Sequence, residues 1–308
     1  MLDSITPLVA SAVGAAIPLV IAALGELIAE RAGVLNLGLE GMMLLGALAS
    51  FVWVATGGGL FLAVLFGMAS GVAASLAFGF ITITLQANQV AAGLSLTILG
   101  SGISAFLGRG YVAAPAPTAF APIPIPLLKD IPLLGGSLFS LDLLGYSAFL
   151  IIAGVTWFLY RSRAGLTLRA VGESPVVARS LGLPVTPVRY LAVAFGGAMS
   201  GLAGTYYSVA QFKMWQEGMT SGNGWIALAL VVFATWRPIR VAIGALLFGG
   251  VTALGLYLQA IGVTVSTFAL SALPYLSTVI VLVIISSDQE TVRRHAPAWL
   301  GKPFYDNS

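Results

Sequence analysis

Six uncharged amides, Asn36, Gln86, Asn88, Gln89, Gln211 and Asn223, sit in or beside runs dominated by aliphatic residues. An amide there offers a donor and an acceptor without an isolated charge, which suits recognition of a neutral solute by hydrogen bonds. Asn88 and Ser95 are seven apart, so one helical face would carry both. Asn36, between Leu35 and Leu37, is the strongest single candidate for a substrate pathway. Each of these residues equally suits a helix cap or an interhelical hydrogen bond. Tyr206, Tyr207, Trp215 and Trp225 could stack on a flat ring, although Tyr and Trp also mark membrane interfaces, and that reading is favoured. Bond-making chemistry finds little to use. There is no Cys, and the single His295 falls in a polar tail, so thiolate nucleophiles, disulfides and a His/Cys metal cluster are excluded. No G-x-x-x-x-G-K-[ST] occurs, so the chain has no phosphate-binding loop for ATP. No catalytic and no metal-ligating residue is assigned.

The elements that must position these amides are membrane helices. The chain is 58% hydrophobic and 8% charged, where soluble domains carry about 25% charged residues. Its mean hydropathy is +1.00. Charge-free blocks run over Ser4–Gly25, Gly41–Gly108, Leu143–Tyr160, Tyr190–Phe212, Gly218–Trp236 and Val241–Ser287. At roughly 20 apolar residues per span, they hold one, three, one, one, one and two spans. The expectation is an all-α polytopic protein of about nine transmembrane helices, within a range of eight to ten, in one domain over residues 1–308. The longest block divides at Gly57–Gly59 and Gln86–Gln89, and the last near Gly262. The first block reads as a span and not a cleaved leader, since no Lys or Arg precedes it. The three-span and two-span blocks carry no ionisable group for a coupling ion, so an ion-driven carrier or proton pump is disfavoured. Gly100, Ser104 and Gly108, like Gly196, Ser200 and Gly204, repeat at i+4 and predict close helix packing, with Ser101 expected on the first of these faces.

Charge sets the orientation. Placing Arg161–Arg189 in the cytoplasm puts eleven of the 14 Lys and Arg residues inside, leaving Arg109, Lys129 and Lys213 outside. This positive-inside bias places the C-terminus in the cytoplasm and the N-terminus outside, and explains a pI near 9.3 without nucleic acid. Residues 26–40, with Glu26, Glu30, Arg31 and Glu40 around Gly33 and Gly38, fit either a cytoplasmic hairpin or a helix broken within the membrane. The uncharged Pro115–Pro126, with five prolines, predicts a stiff segment in an external loop over residues 109–142. It would contact an external delivery protein or simply cover the outer surface. A cytoplasmic tail is expected over residues 288–308.

The basic loop, residues 161–189, exceeds what a topology signal needs. Glu173, Ser174 and Pro175 give a charged, capped helix start, and Gly182 with Pro184 and Pro187 gives a stop, so a helix over Pro175–Leu181 is predicted. So short a helix requires a surface. Val177 and Leu181, at i,i+4, would face it together, on either a cytoplasmic partner or the protein's own membrane face.

Three stretches, LGELIAERAGVLNLGLEGMMLLGA from Leu24, AVGESPVVARSLGL from Ala170 and EGMTSGNGWIALALVVFATWRP from Glu217, resemble permease subunits of ATP-binding cassette importers for nucleosides and simple sugars. The nearest group is the nucleoside permeases that work with a basic-membrane-protein-type lipoprotein receptor, and the external loop Ile125–Tyr146 resembles the same group. The resemblance implies a coupling helix in the basic loop, with Glu173, Ser174, Pro175, Val177, Arg179, Leu181 and Gly182 at the ATPase contact. It implies a bacterial cytoplasmic membrane and, as partners, a second, non-identical permease, an ATP-binding subunit holding ATP and Mg, and an extracytoplasmic lipoprotein, with no cofactor in this chain. The family's coupling motif begins Asn-Pro where this chain has Ser174-Pro175. Its Gly-Met-Thr block often carries a basic residue where Asn223 stands here. The remaining class is a channel or facilitator that needs no ATPase.

Overall fold

Wherever the sequence is apolar and its glycines are spaced for packing, the chain is helical. A computed structural model describes residues 2–261, 267–286 and 295–304. In chain order its helices are α1 (Leu2–Arg31), α2 (Leu39–Ala55), α3 (Leu60–Gly79, continued by a π-turn over Phe80–Thr84), α4 (Gln89–Gly108), α5 (Gly135–Leu138) and α6 (Leu143–Arg161). There follow α7 (Arg163–Glu173), α8 (Pro175–Ser180), α9 (Val185–Thr205, continued by a π-turn over Tyr206–Gln211), α10 (Asn223–Phe233), α11 (Pro238–Ala260) and α12 (Thr267–Ser286). Among the described residues no strand forms, only isolated bridges of Val112 to Trp215 and Pro115 to Met214. Side-chain caps fix several helix starts: Asn88 accepts from Ala91 N at 3.0 Å, Asp142 from Gly145 N at 2.8 Å and Ser162 from Gly165 N at 2.9 Å. Burial pushes the Asp142 carboxyl above its ordinary range, against the lowering effect of its bond from Gly145.

The bundle centre is α1, α2 and α9. About 61% of the most apolar stretch of α1 is buried against 22% for α4, so α4 presents most of its surface outward. In lipid, apolar side chains gain little by leaving the solvent, and contact depends on close backbone approach. Gly201 supplies it. A Cβ on Gly46 of α2 would stand 2.4 Å from the Gly201 Cα, and one on Gly201 would stand 2.1 Å from the Gly67 carbonyl of α3. Gly100 of α4 meets Gly41 of α2 in the same way, with Ser104 buried below it. Ser101 is exposed, because one residue along a helix turns it about 100° off the i+4 stripe.

Five helical stretches among the described residues are long and apolar enough to cross a membrane: Ile5–Arg31, Leu60–Thr84, Gln89–Tyr111, Leu143–Arg161 and Pro238–Ala260. Two expected spans are short: α2 has 17 residues and α10 has 11, the latter about 16 Å at 1.5 Å per residue. The reason in α10 is the preceding loop, where Gly218, Ser221 and Gly222 all take positive φ and helix cannot begin. The basic loop also differs from expectation. It is mostly helix, α7 and α8, and Arg189 belongs to α9, where it is buried to 2%. The Gly262 division and tail residues 288–294 and 305–308 lie outside the described residues.

Candidate functional site

The two short apolar helices meet start to start. Glu40, in the first turn of α2, accepts from Thr220 Oγ1 at 2.5 Å and Gly222 N at 2.8 Å through Oε1, and from Gly224 N at 2.7 Å through Oε2. Gly222 caps α10 and Gly224 lies in its first turn, so one carboxylate ties the beginnings of both helices. A Cβ on Gly224 would fall 2.6 Å from Glu40 N, which is why the chain has glycine there. The far end of α10 is fixed at the end of α1: Trp236 Nε1 donates to Glu30 Oε2 at 2.5 Å, and Arg31 Nη2 donates to the Trp236 carbonyl at 2.9 Å. The α2–α10 meeting therefore lies about 16 Å further into the bundle. Discontinuous helices that begin within the membrane are a recurring setting for solute sites.

Residues 32–38 connect α1 to this point as a non-helical break mostly buried inside the bundle. Glu26, Glu30 and Asn36 are fully buried. Glu26 Oε1 accepts from Asn36 N at 2.9 Å, and Asn36 Oδ1 accepts from Gly38 N at 2.9 Å. The break leans on α4, where Thr97 Oγ1 donates to the Leu37 carbonyl at 2.8 Å and Gly93 leaves room for the Leu37 backbone.

Of the expected pathway residues, the structure brings Asn36, Gln89 and Asn223 to this junction. Gln89 is buried and accepts from Leu35 N at 2.8 Å, while Asn223 begins α10 half-buried between the two glycines bonded to Glu40. Asn88 and Ser95 lie apart from it on the exposed face of α4, and Gln86 reaches the C-terminal segment, donating to the Phe304 carbonyl at 3.1 Å. Gln211 closes the π-turn after α9. Sequence reasoning missed Glu40. The signal was there: a Glu one residue before Gly41, at the start of an apolar run, opposite a Gly-rich stretch in another run. An apolar cavity of about 470 Å³ between α6 and α9, walled by such residues as Ile151, Val155, Phe158, Leu191 and Phe195, offers a polar solute no bonding partner.

At the bundle end marked by α7 and α8, Ser174 Oγ accepts from Val177 N at 3.4 Å, Pro175 opens α8, and Gly182 follows it at φ +78°. The helix is one residue shorter than predicted, with Leu181 as its cap. Pro175 and Ala178 face inward. Val177 and Leu181 are 56% and 73% exposed, so nothing among the described residues covers them. Glu173 closes α7 and Arg179 lies in the last turn of α8. Among the described residues no group of His, Cys, Asp and Glu is placed to hold a metal ion.

A family profile described as the permease component of branched-chain amino acid transport systems matches residues 8–286. The putative glucose ABC transporter permease protein TsgC13 of Haloferax volcanii is 43% identical, with 94% of each chain covered. The guanosine ABC transporter permease protein NupQ of Bacillus subtilis is 37% identical, over 76% of this chain and 77% of its own. The nucleoside ABC transporter permease protein NupC of Lactococcus lactis is 32% identical, over 87% and 88%.

Proposed function

Because the chain belongs to the family of permease components of branched-chain amino acid transport systems, we propose that it forms half of the translocation pathway of an ATP-driven importer for nucleosides. It does no chemistry on its solute. ATP and Mg bind a separate ATPase, and this chain carries no cofactor. The nucleoside reading is supported by NupQ and NupC. The second reading, a simple sugar, is supported by TsgC13 at 43% identity. Both solutes present neutral hydroxyls, for which Asn36, Gln86, Asn88, Gln89, Ser95 and Asn223 are the proposed partners.

The observation that carries the ATP-driven reading over a free-standing channel is α8, whose inner side is locked while Val177 and Leu181 stand exposed. Glu173, Ser174, Pro175, Val177, Arg179, Leu181 and Gly182 form the proposed ATPase contact. In this arrangement α1, α2, α3, α4, α6, α9, α10, α11 and α12 are the nine membrane helices of a single domain, with α2 and α10 completed by buried loop. The α8 end faces the cytoplasm. A second permease covers the outward face of α4, and a lipoprotein receptor docks on the Pro-rich end. The deciding experiment is hydrolysis by the reconstituted complex against a panel of nucleosides and sugars. Stimulation by guanosine, with glucose inert, is expected. Solute uptake by this chain alone, without ATPase or ATP, would overturn the importer reading in favour of a facilitator.

A further inference from the structure

The C-terminal segment 295–304 contacts α1, α7, α8, α9 and the start of α4. Its first residue is held at the end of α1 and before α11: Arg31 Nη1 donates to the His295 carbonyl at 3.2 Å, and Arg237 Nη2 lies 2.9 Å from His295 Nε2. Trp299 N donates to the Gly172 carbonyl of α7 at 3.0 Å. Beyond that point the contacts divide in two directions. Towards α8, Phe304 is 7% exposed and forms a small apolar cluster with Val171, Ala178 and Val185 from α7, α8 and α9. Ala178 and Pro175 are the buried residues of α8, so Phe304 lies behind the helix whose other face stands open. Towards the polar junction, Gln86 Nε2 donates to the Phe304 carbonyl at 3.1 Å and Gln89 Nε2 to the Lys302 carbonyl at 3.5 Å. Gln89 Oε1 in turn accepts from Leu35 N, next to Asn36.

We infer that residues 295–304 are a strut between α8 and the α1–α2 break, and that Phe304 is a positioning residue for coupling. The inference rests on the importer reading. α7 and α9 also support α8 and lie beside Gly33 of the break through Gly172 and Arg189, but among the described residues it is this segment that joins α8 to Gln86 and Gln89. The strut is also built to release. Phe304 stacks 5.6 Å from the guanidinium carbon of Arg189, and Arg189 is buried with Nε and Nη2 lacking any hydrogen-bond partner among the described residues. Lifting Phe304 would let water reach those donors, which opposes the loss of apolar and cation–π contact. The seated and lifted positions are thereby brought closer in free energy, as a device that changes position every cycle requires.

The test uses the whole complex in liposomes, with guanosine and, in parallel, glucose as solute, and measures solute moved per ATP hydrolysed. Phe304→Ala should leave ATPase copurification and basal hydrolysis unchanged and lower the transport-to-hydrolysis ratio at least tenfold. Phe304→Tyr, which keeps the ring over Arg189, should restore it to within twofold. A wild-type ratio in folded Phe304→Ala would overturn the strut. So would a parallel fall of yield, hydrolysis and transport at an unchanged ratio, since that is what mere packing gives. If the Ala variant does not fold, Phe304→Leu keeps the apolar volume and decides the matter: a fall of threefold or more in the ratio supports the strut, and no fall overturns it. Failure of the wild-type complex to couple either solute to hydrolysis would bring down the importer reading and the strut with it.

Discussion

The Glu40 junction and the α7–α8 platform are opposite kinds of construction. At the junction a buried charge has every bond it needs from its own chain: three donors converge on one carboxylate. On the platform, apolar side chains that a finished protein would bury are left at the surface. One region is complete and holds two helices in register, while the other carries the contact proposed for the ATPase. The difference sets a region that the chain satisfies by itself against one for which a partner is proposed, and it can be attacked at either end.

The largest expected effect is at the junction. Glu40→Ala leaves Thr220 Oγ1, Gly222 N and Gly224 N without an acceptor, and each orphaned buried donor costs about 1–3 kcal/mol. Size-exclusion of the detergent-extracted protein should show almost no folded peak. Glu26→Gln is the control, because Glu26 Oε2 has no partner to lose and Oε1 can still accept from Asn36 N. Its folded yield should stay within about twofold of wild type, and equal losses in the two variants would erase the contrast. Next comes the platform. Val177→Asp with Leu181→Asp should abolish ATPase copurification and transport with permease abundance unchanged, since an unpaired charge buried in a contact costs several kcal/mol. Retention of both activities would reduce the loop to a topology signal.

A smaller effect is expected between helices. Gly100→Val drives a side chain into the Gly41 backbone, 2.7 Å from the new Cβ to the Gly41 Cα, and overpacking of this kind costs about 1–3 kcal/mol. Thermal unfolding followed by aggregation should begin lower than in wild type, while Ser101→Leu on the exposed side should unfold like wild type. The smallest is Ser174→Ala, which removes the α8 cap at a cost of about 1 kcal/mol. It should weaken ATPase copurification at low subunit concentration only. Complete dissociation would show that the cap contacts the partner directly.

The sequence made the helices legible because lipid imposes a simple rule: long charge-free runs became helices, and the breaks at Gly57–Gly59 and Gln86–Gln89 are where the chain turns. The cap at Ser174 and stop at Gly182 were equally readable, being local. Span length was less so. Composition cannot distinguish a helical run from one that begins as irregular backbone, and only Glu40, 180 residues from Thr220, explains how the loop before α10 is satisfied. Arg189 misled for a related reason: its charge argued for solvent, while α9 begins four residues earlier and carries it under Phe304. Asn88 illustrates the limit of reading single amides. It was eligible both as a pathway group and as a cap, and its side chain does the second while leaving α4's outward face to decide the first.

The start-to-start meeting of α2 and α10 also fixes the electrical character of the bundle interior. The aligned peptide units of a helix leave about half a positive charge at its beginning. Two beginnings brought together make about one, and the single Glu40 carboxylate cancels it. Asn223, between the two glycines bonded to Glu40, therefore stands among oriented donors and acceptors where the helix-end charge and the carboxylate offset each other. Glu40→Gln would unbalance that sum by one positive charge inside the bundle, and any such variant that folds should favour anionic solutes over neutral ones.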